Sequence, residues 1–125
     1  MSGSVNKCLL LVEDDALVRD TIALMLEEEG FQVVEAEDAD TAQRLVREGL
    51  DARLIVTDVD LGPGPSGADL ADELRALQPE LAVIFITGRI ASLHGRRLKE
   101  REALLPKPFE SATLSNLVRQ MSSVA

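Results

Sequence analysis

The sequence has few aromatic side chains and a single cysteine: its 125 residues include three Phe, no Trp, no Tyr and one Cys. So few rings argue against base stacking and against an aromatic-lined pocket. The one cysteine, Cys8, excludes a disulfide framework within the chain and a cysteine-based zinc cluster. The sequence also lacks an apolar run long enough to span a membrane, and its first seven residues lack the apolar core of a signal peptide. These absences predict a cytoplasmic protein with no membrane segment.

Positive charge is also in short supply. The chain has 13 Lys and Arg against 22 Asp and Glu, which gives a formal net charge of −9. An acidic surface disfavours direct binding to nucleic acid or to anionic membranes, and it favours cations. The hydrophobic fraction of 46% is ordinary for a folded protein, and the length suits one domain with a proper core.

Short apolar runs alternate along the chain with stretches of helical spacing. The predicted strands are 9–12, 31–36, 54–57, 83–87 and 103–105. The helical stripes contain Val18, Ile22, Met25 and Leu26, then Ala42, Leu45 and Val46, then Leu70, Ala71, Leu74 and Leu77, and finally Leu114, Leu117, Val118 and Met121. A weaker and very basic helix is predicted from Ser92 to about Arg101. This alternation predicts an α/β protein with a five-stranded parallel sheet, doubly wound and covered by helices on both faces, in three layers.

Polar side chains collect at the carboxyl ends of the predicted strands, where doubly wound folds carry their functional site. In chain order these residues are Glu13, Asp14 and Asp15, then Asp58, then Thr87, then Lys107. Burying Asp58 alone would be costly, so a partner is expected at that edge. Clustered carboxylates suit a hard cation, Mg²⁺ before Ca²⁺ or Mn²⁺. A lysine and a hydroxyl beside such a cation complement a phosphoryl group, so the pattern suggests phosphoryl transfer to a carboxylate, giving an aspartyl phosphate.

Four motifs stand in the order and at the separations typical of one protein family. They are Leu-Val-Glu-Asp-Asp at 11–15, Ile-Val-Thr-Asp-Val-Asp-Leu at 55–61, Ile-Thr-Gly at 86–88 and Pro-Lys-Pro-Phe at 106–109. With them the chain resembles the receiver domain of two-component response regulators, from about residue 7 to residue 121. The resemblance implies a flavodoxin-like (βα)5 fold with strand order 2-1-3-4-5. It also implies a single receiver domain over 1–125, with a short tail at 1–6 and no output domain.

The resemblance implies a cation site built from four residues. Asp58 resembles the phosphoacceptor, and Asp14 resembles the direct Mg²⁺ ligand. Glu13, beside it, would bind the ion directly or through a water molecule. The Asp58 carboxylate and the backbone carbonyl of Asp60 complete the implied protein ligands of Mg²⁺, with Mn²⁺ as a possible substitute.

The phosphoryl group is implied to meet Thr87 and Lys107. The Thr87 hydroxyl would contact a phosphoryl oxygen, with the backbone N–H groups of Val59 and Gly88 nearby, and the Lys107 ammonium would pair with the group. In this family the bond from Lys107 to Pro108 is cis.

These roles imply a phosphoacceptor signalling module of a two-component phosphorelay. Its phosphodonor would be the phosphohistidine of a sensor histidine kinase or of a histidine phosphotransfer protein, and phosphorylation would control partner binding. Such a protein catalyses only its own phosphorylation and dephosphorylation and is not otherwise an enzyme. Leu17 and Leu24 lie off the core stripe of the first helix and suggest a docking surface for a helical phosphodonor. No direct contact with nucleic acid or membrane is expected, and a homodimer stays open.

Three features depart from the family pattern. The Gly- and Pro-rich loop from Gly62 to Gly67 replaces the usual turn, and its conformation is not predicted. Leu104 stands where many receivers carry an aromatic switch residue, so we expect weaker output or other contacts. Asp60 and Arg89 flank the mouth of the site, and we hypothesise that they form an ion pair that restricts the attacking water. Replacing Arg89 with Ala would then shorten the lifetime of the phosphorylated form.

Three other classes share part of the pattern. Asp58-Val-Asp60 imitates the Asp-x-Asp motif of haloacid-dehalogenase-like phosphohydrolases, which is the main alternative. That motif normally ends the first strand, whereas here it ends the third, and 125 residues leave no room for a cap domain. A flavin-binding relative would need a hydroxyl-rich phosphate loop in place of Glu13-Asp14-Asp15. A pseudo-receiver that is never phosphorylated is disfavoured because the expected site residues are all present.

Overall fold

Five parallel strands form one sheet in the order β2-β1-β3-β4-β5. The computed structural model describes residues 8–62, 64–88 and 97–122. The elements are β1 (Cys8–Val12), α1 (Ala16–Glu28), β2 (Gln32–Ala36), α2 (Ala39–Arg47), β3 (Leu54–Asp58), α3 (Gly67–Leu77), β4 (Ala82–Thr87), β5 (Glu102–Pro106) and α4 (Ser111–Ser122). The predicted parallel α/β fold and its strand order are confirmed.

Strand β1 shows how the sheet separates two cores. Because successive side chains of a strand point to opposite faces, Leu10 and Val12 pack with residues of α2 and α3, whereas Leu9 and Leu11 pack with residues of α1 and α4. Every residue of β1, β3 and β4 is buried. Helices therefore cover the sheet on both sides, which confirms the three-layer sandwich.

The helix starts are held by side-chain caps. Asp15 accepts hydrogen bonds from the N–H groups of Leu17 and Val18 at the start of α1, and Asp38 accepts one from Thr41 at the start of α2. At the start of α3 the Ser66 side chain forms a reciprocal capping box. None of the helices in the described residues is long and apolar enough to cross a membrane.

The predicted basic helix from Ser92 to about Arg101 is wrong over residues 97–101, which are not helical. Residues 89–96, with Arg89 and His94, lie outside the described part of the chain. Within that part, four helices cover the sheet. The backbone of 97–101 turns instead into β5: the carboxylate of Glu102 accepts from the Lys99 N–H at 2.8 Å, and the Glu102 N–H donates to the Lys99 carbonyl at 3.0 Å.

Candidate functional site

Three carboxylates meet at the carboxyl edge of the sheet. Glu13 and Asp14 follow β1, Asp58 ends the adjacent strand β3, and each offers an oxygen within 4.8 Å of the others. Glu13 is 3% exposed and Asp58 is 8% exposed, whereas Asp14 is open to solvent. An all-oxygen donor set that is buried on one side and open on the other fits a hard cation that keeps some of its water. This cluster could hold a metal ion.

Glu13 is anchored through its backbone and its carboxylate. Its N–H donates to the carbonyl of Ala36 at 3.1 Å, which prolongs the pairing of β1 with β2, and its Oε2 accepts from the Asp15 N–H at 3.1 Å. Burial raises the pKa of Glu13 to about 7; the hydrogen bond from Asp15 opposes this and the charge of Asp58 adds to it. A buried carboxylate with so raised a pKa is stabilised in its charged form by a nearby cation.

Asp58 has a hydrogen-bond partner on each carboxylate oxygen. Its Oδ1 accepts from the Asp60 N–H at 3.0 Å, and its Oδ2 accepts from Lys107 Nζ at 2.9 Å. The carboxylate is thus held at the end of β3 and aimed at the lysine. The backbone carbonyl expected to serve as a ligand belongs to Asp60, the residue whose N–H makes the first of these bonds.

Lys107 joins the fifth strand to the carboxylates of the first and third. Its Nζ lies 2.9 Å from Asp58 Oδ2 and 3.9 Å from Glu13 Oε1, and the peptide bond to Pro108 is cis, as the family resemblance implied. Desolvation lowers the pKa of Lys107, but the hydrogen bond and charge of Asp58, with the charges of Glu13 and Asp14, outweigh it and raise that pKa. The lysine is therefore charged and already placed against the carboxylates.

Thr87 is the last residue of β4 and is fully buried. Its carbonyl accepts the Lys107 N–H at 2.8 Å, which ties the end of β4 to the lysine. The Val59 N–H, which the family resemblance implies lies near the phosphoryl group, donates to the Ile86 carbonyl at 3.1 Å. The hypothesised Asp60–Arg89 ion pair involves a residue outside the described ranges.

Gly67, which sequence reasoning did not single out, packs against the backbone of the site. A Cβ at this residue would lie well under 3.0 Å from the carbonyl oxygen of Asp58 and 3.0 Å from Thr57 Oγ1, and the Gly67 N–H donates to the Val59 carbonyl at 2.8 Å. The first residue of α3 therefore packs directly on the backbone of the phosphoacceptor candidate. In the sequence this residue is a glycine between a turn-rich loop and a helical stripe, a pattern that marks the start of a helix but not this contact.

The loop between β3 and α3 approaches the acidic cluster. Gly62 has φ +81° and Gly64 has φ +98°, a region that favours glycine. A Cβ at Gly62 would lie 3.6 Å from Asp14 Oδ2. Leu104, at the position of the missing aromatic, pairs in register with Phe85 of β4 and packs against the core on the α2–α3 side.

Fold and site together define a doubly wound α/β protein with an acidic, lysine-paired site of the receiver type. The sequence profile of the family described as response regulator receiver domain matches residues 9–119. The chain belongs to this family.

Curated relatives and a solved structure agree with that assignment. The chain is 33% identical to the aerobic respiration control protein ArcA of Escherichia coli K12 over 92% of its length and 48% of the relative. It is also 33% identical to the sensor kinase CckA of Brucella abortus, over 97% of the chain and 13% of the relative. The crystal structure of the receiver domain from the hybrid histidine kinase CckA superimposes with a TM-score of 0.79 at 30% identity, covering 93% of this chain and 99% of that one. The chain spans about half, or less, of these curated relatives.

Proposed function

We propose that this chain is the phosphoacceptor module of a two-component phosphorelay, in which Asp58 receives a phosphoryl group from a phosphohistidine. The observation that carries the proposal is the geometry at Asp58: its carboxylate lies 2.9 Å from Lys107 Nζ, within the cluster formed with Glu13 and Asp14. A nucleophilic carboxylate next to a fixed ammonium and a cation-binding acidic pair is the arrangement that phosphoryl transfer requires.

In the proposed reaction an Asp58 oxygen attacks the phosphorus, the P–N bond of the phosphohistidine breaks, and the imidazole leaves and takes up a proton. Glu13, Asp14, Asp58 and the carbonyl of Asp60 would hold Mg²⁺, which supplies charge neutralisation between the carboxylate and the phosphoryl oxygens.

Thr87 and Lys107 would bind the phosphoryl oxygens. For Lys107 this means exchanging its contact with the Asp58 carboxylate for one with the phosphoryl group that forms there. The backbone N–H of Lys107 donates a hydrogen bond to the Thr87 carbonyl, so the backbones of the two residues are held together.

The phosphodonor we propose is a sensor histidine kinase or a histidine phosphotransfer protein, in the cytoplasm. One relative is itself a sensor kinase. On α1, Leu17 is 76% exposed and Leu24 is 61% exposed. Seven residues of helix bring them to one face, and Leu17 lies in the first turn, three residues after Asp14. Apolar residues on one helical face suit packing against a donor helix. The module would catalyse only its own phosphorylation and dephosphorylation, with no direct binding of nucleic acid.

The phosphohydrolase alternative is not favoured. Its Asp-x-Asp motif normally ends the first strand of the sheet, and Asp58 ends β3.

Incubation with acetyl phosphate and Mg²⁺, read by intact mass, tests the proposal. Wild type should gain the mass of one phosphoryl group, and chelation of Mg²⁺ should prevent this gain. Asp58→Asn should gain none. Asp51→Asn is the matched control, because Asp51 is an exposed carboxylate before β3, at the opposite edge of the sheet. Labelling of Asp58→Asn, or steady release of phosphate from simple monoesters by wild type, would contradict the proposal.

A further inference from the structure

Arg19 of α1 reaches back to the segment that carries the acidic cluster. Its Nη1 donates to the backbone carbonyl of Glu13 at 2.8 Å, and its Nε lies 3.4 Å from Glu35 Oε1 on β2. The Arg19 side chain is only 19% exposed. A planar guanidinium with a second, charged anchor holds a carbonyl in a defined direction better than a single flexible donor does.

The carbonyl that Arg19 holds belongs to the peptide group between Glu13 and Asp14. The N–H of Glu13 is fixed by Ala36 and its carboxylate by the N–H of Asp15, so Arg19 supplies the remaining contact of this residue's backbone. Rotation of that peptide group would swing Asp14, the exposed member of the cluster, relative to the two buried carboxylates. Nothing in the proposed chemistry gives Arg19 a direct contact with the reacting groups.

We propose that Arg19 is a positioning residue for cation binding: it fixes the Glu13–Asp14 peptide group so that the carboxylates of Glu13, Asp14 and Asp58 converge. This inference rests on the proposed function. It predicts a change in cation affinity opposite in sign to the change that simple electrostatics predicts. Removing a positive charge near an acidic site should strengthen cation binding, whereas removing a positioning contact should weaken it.

Removing a group that hydrogen-bonds to a metal ligand and orients it lowers metal affinity by about 10- to 100-fold. Arg19 acts through a backbone carbonyl and not through a ligand oxygen, so we expect Arg19→Ala to weaken Mg²⁺ and Mn²⁺ binding about tenfold, at the low end of that range. Arg19→Lys retains the charge and one donor for the Glu13 carbonyl, and should recover part of the affinity.

Calorimetric titration of the purified chain with Mn²⁺ and with Mg²⁺ measures these affinities without any phosphoryl donor. Arg47→Ala is the matched control, because Arg47 is an exposed arginine on α2; its removal should leave the affinity unchanged or slightly increase it. In acetyl phosphate labelling, Arg19→Ala should raise the Mg²⁺ concentration for half-maximal rate while leaving the rate at saturating Mg²⁺ close to that of wild type.

Three outcomes overturn the inference. The first is that Arg19→Ala binds the cations as tightly as wild type or more tightly. The second is that Arg19→Lys regains none of the lost cation affinity, which would indicate general disruption of α1. The third is that Arg47→Ala loses as much affinity as Arg19→Ala. If Arg19→Ala does not fold, as judged by thermal unfolding, a weakened but measurable affinity in Arg19→Lys supports the inference, and a wild-type affinity opposes it. Failure of wild type to bind either cation would instead refute the proposed function.

Discussion

Replacing Gly67 with alanine tests how closely α3 packs on the phosphoacceptor candidate. The new Cβ would lie well under 3.0 Å from the Asp58 carbonyl oxygen and 3.0 Å from the Asp58 carbonyl carbon and from Thr57 Oγ1. Ordinary contacts at a Cβ begin at 3.4 Å, so the start of α3 and the end of β3 would have to separate by roughly 1 Å. Both sides of the contact include backbone, which cannot rotate away as a side chain can.

The size of the effect follows from two opposing contributions. Overfilling a packed site costs about 1–3 kcal/mol, and the backbone contact argues for the upper half of that range. Alanine also stiffens the unfolded chain, which gains about 0.4–1 kcal/mol where the native conformation suits it. We expect a net destabilisation of about 2 kcal/mol, which corresponds to a fall in Tm of about 8 °C for a domain of this size.

Chemical and thermal unfolding measure this change, and Gly88→Ala is its control. Among the described residues, a Cβ at Gly88 would meet no atom within 4 Å, and neither glycine has a φ in the left-handed region, so the two substitutions differ chiefly in packing. Gly88→Ala should change stability by less than about 0.5 kcal/mol. Because the Gly67 contact is with the backbone of Asp58, Gly67→Ala should also slow labelling by acetyl phosphate. Wild-type stability in Gly67→Ala would refute the packing argument.

Three further substitutions have expected outcomes of their own. Lys107→Ala should largely abolish labelling by acetyl phosphate because Asp58 loses the Nζ at 2.9 Å, whereas Lys99→Ala, which breaks only an exposed pair, should label normally in the same mass assay. Ser66→Ala removes the capping box of α3 and should lower the free energy of unfolding by about 1 kcal/mol, with Ser66→Thr close to wild type. The Thr41 hydrogen bonds lower the pKa of Asp38 below its usual 3.8, so the cap is fully formed above pH 3.8 and is lost as the pH falls through the depressed value. Asp38→Ala should be less stable than wild type by about 1 kcal/mol at pH 7, and urea titrations at acid pH should show a smaller difference. A difference that does not depend on pH would contradict this.

The meeting of the acidic residues and Lys107 at one sheet edge could be predicted because each stands at the end of an apolar run. Parallel strands bring their carboxyl ends to one edge, so Asp58 at the end of β3 and Lys107 after β5 were expected at the same edge once the strands were recognised. The family resemblance then supplied the strand order and the cis bond before Pro108, neither of which follows from periodicity.

Arg19 and Gly67 could not be found in the same way. In the sequence, Arg19 is one polar residue on an amphipathic helix, and its partner Glu35 lies on β2, beyond the end of that helix. Gly67 follows a loop whose other glycines allow for left-handed turns, so its closeness to the Asp58 carbonyl has no separate sequence signal.

The segment 97–101 shows how tertiary contacts override a local pattern. Its basic spacing suggested a helix, but Arg101 takes φ 66° and its carbonyl accepts the Val83 N–H at 2.8 Å. The Glu102 carboxylate, fully buried, accepts from Arg75 Nη1 at 2.8 Å and from the Lys99 N–H. These contacts with α3 and β4 hold the backbone in a turn that leads into β5.

The sequence by itself determined which segments become strands, which polar residues stand at their ends, and hence which polar groups meet at the sheet edge. Hydrophobic periodicity and capping act over a few residues, so they can be read along the chain. Only the tertiary structure decided that Lys107 Nζ lies 2.9 Å from Asp58, that Gly67 touches the Asp58 carbonyl and that Arg19 holds the carbonyl of Glu13. Each of these depends on how separate elements pack against one another, and that packing is a property of the assembled core.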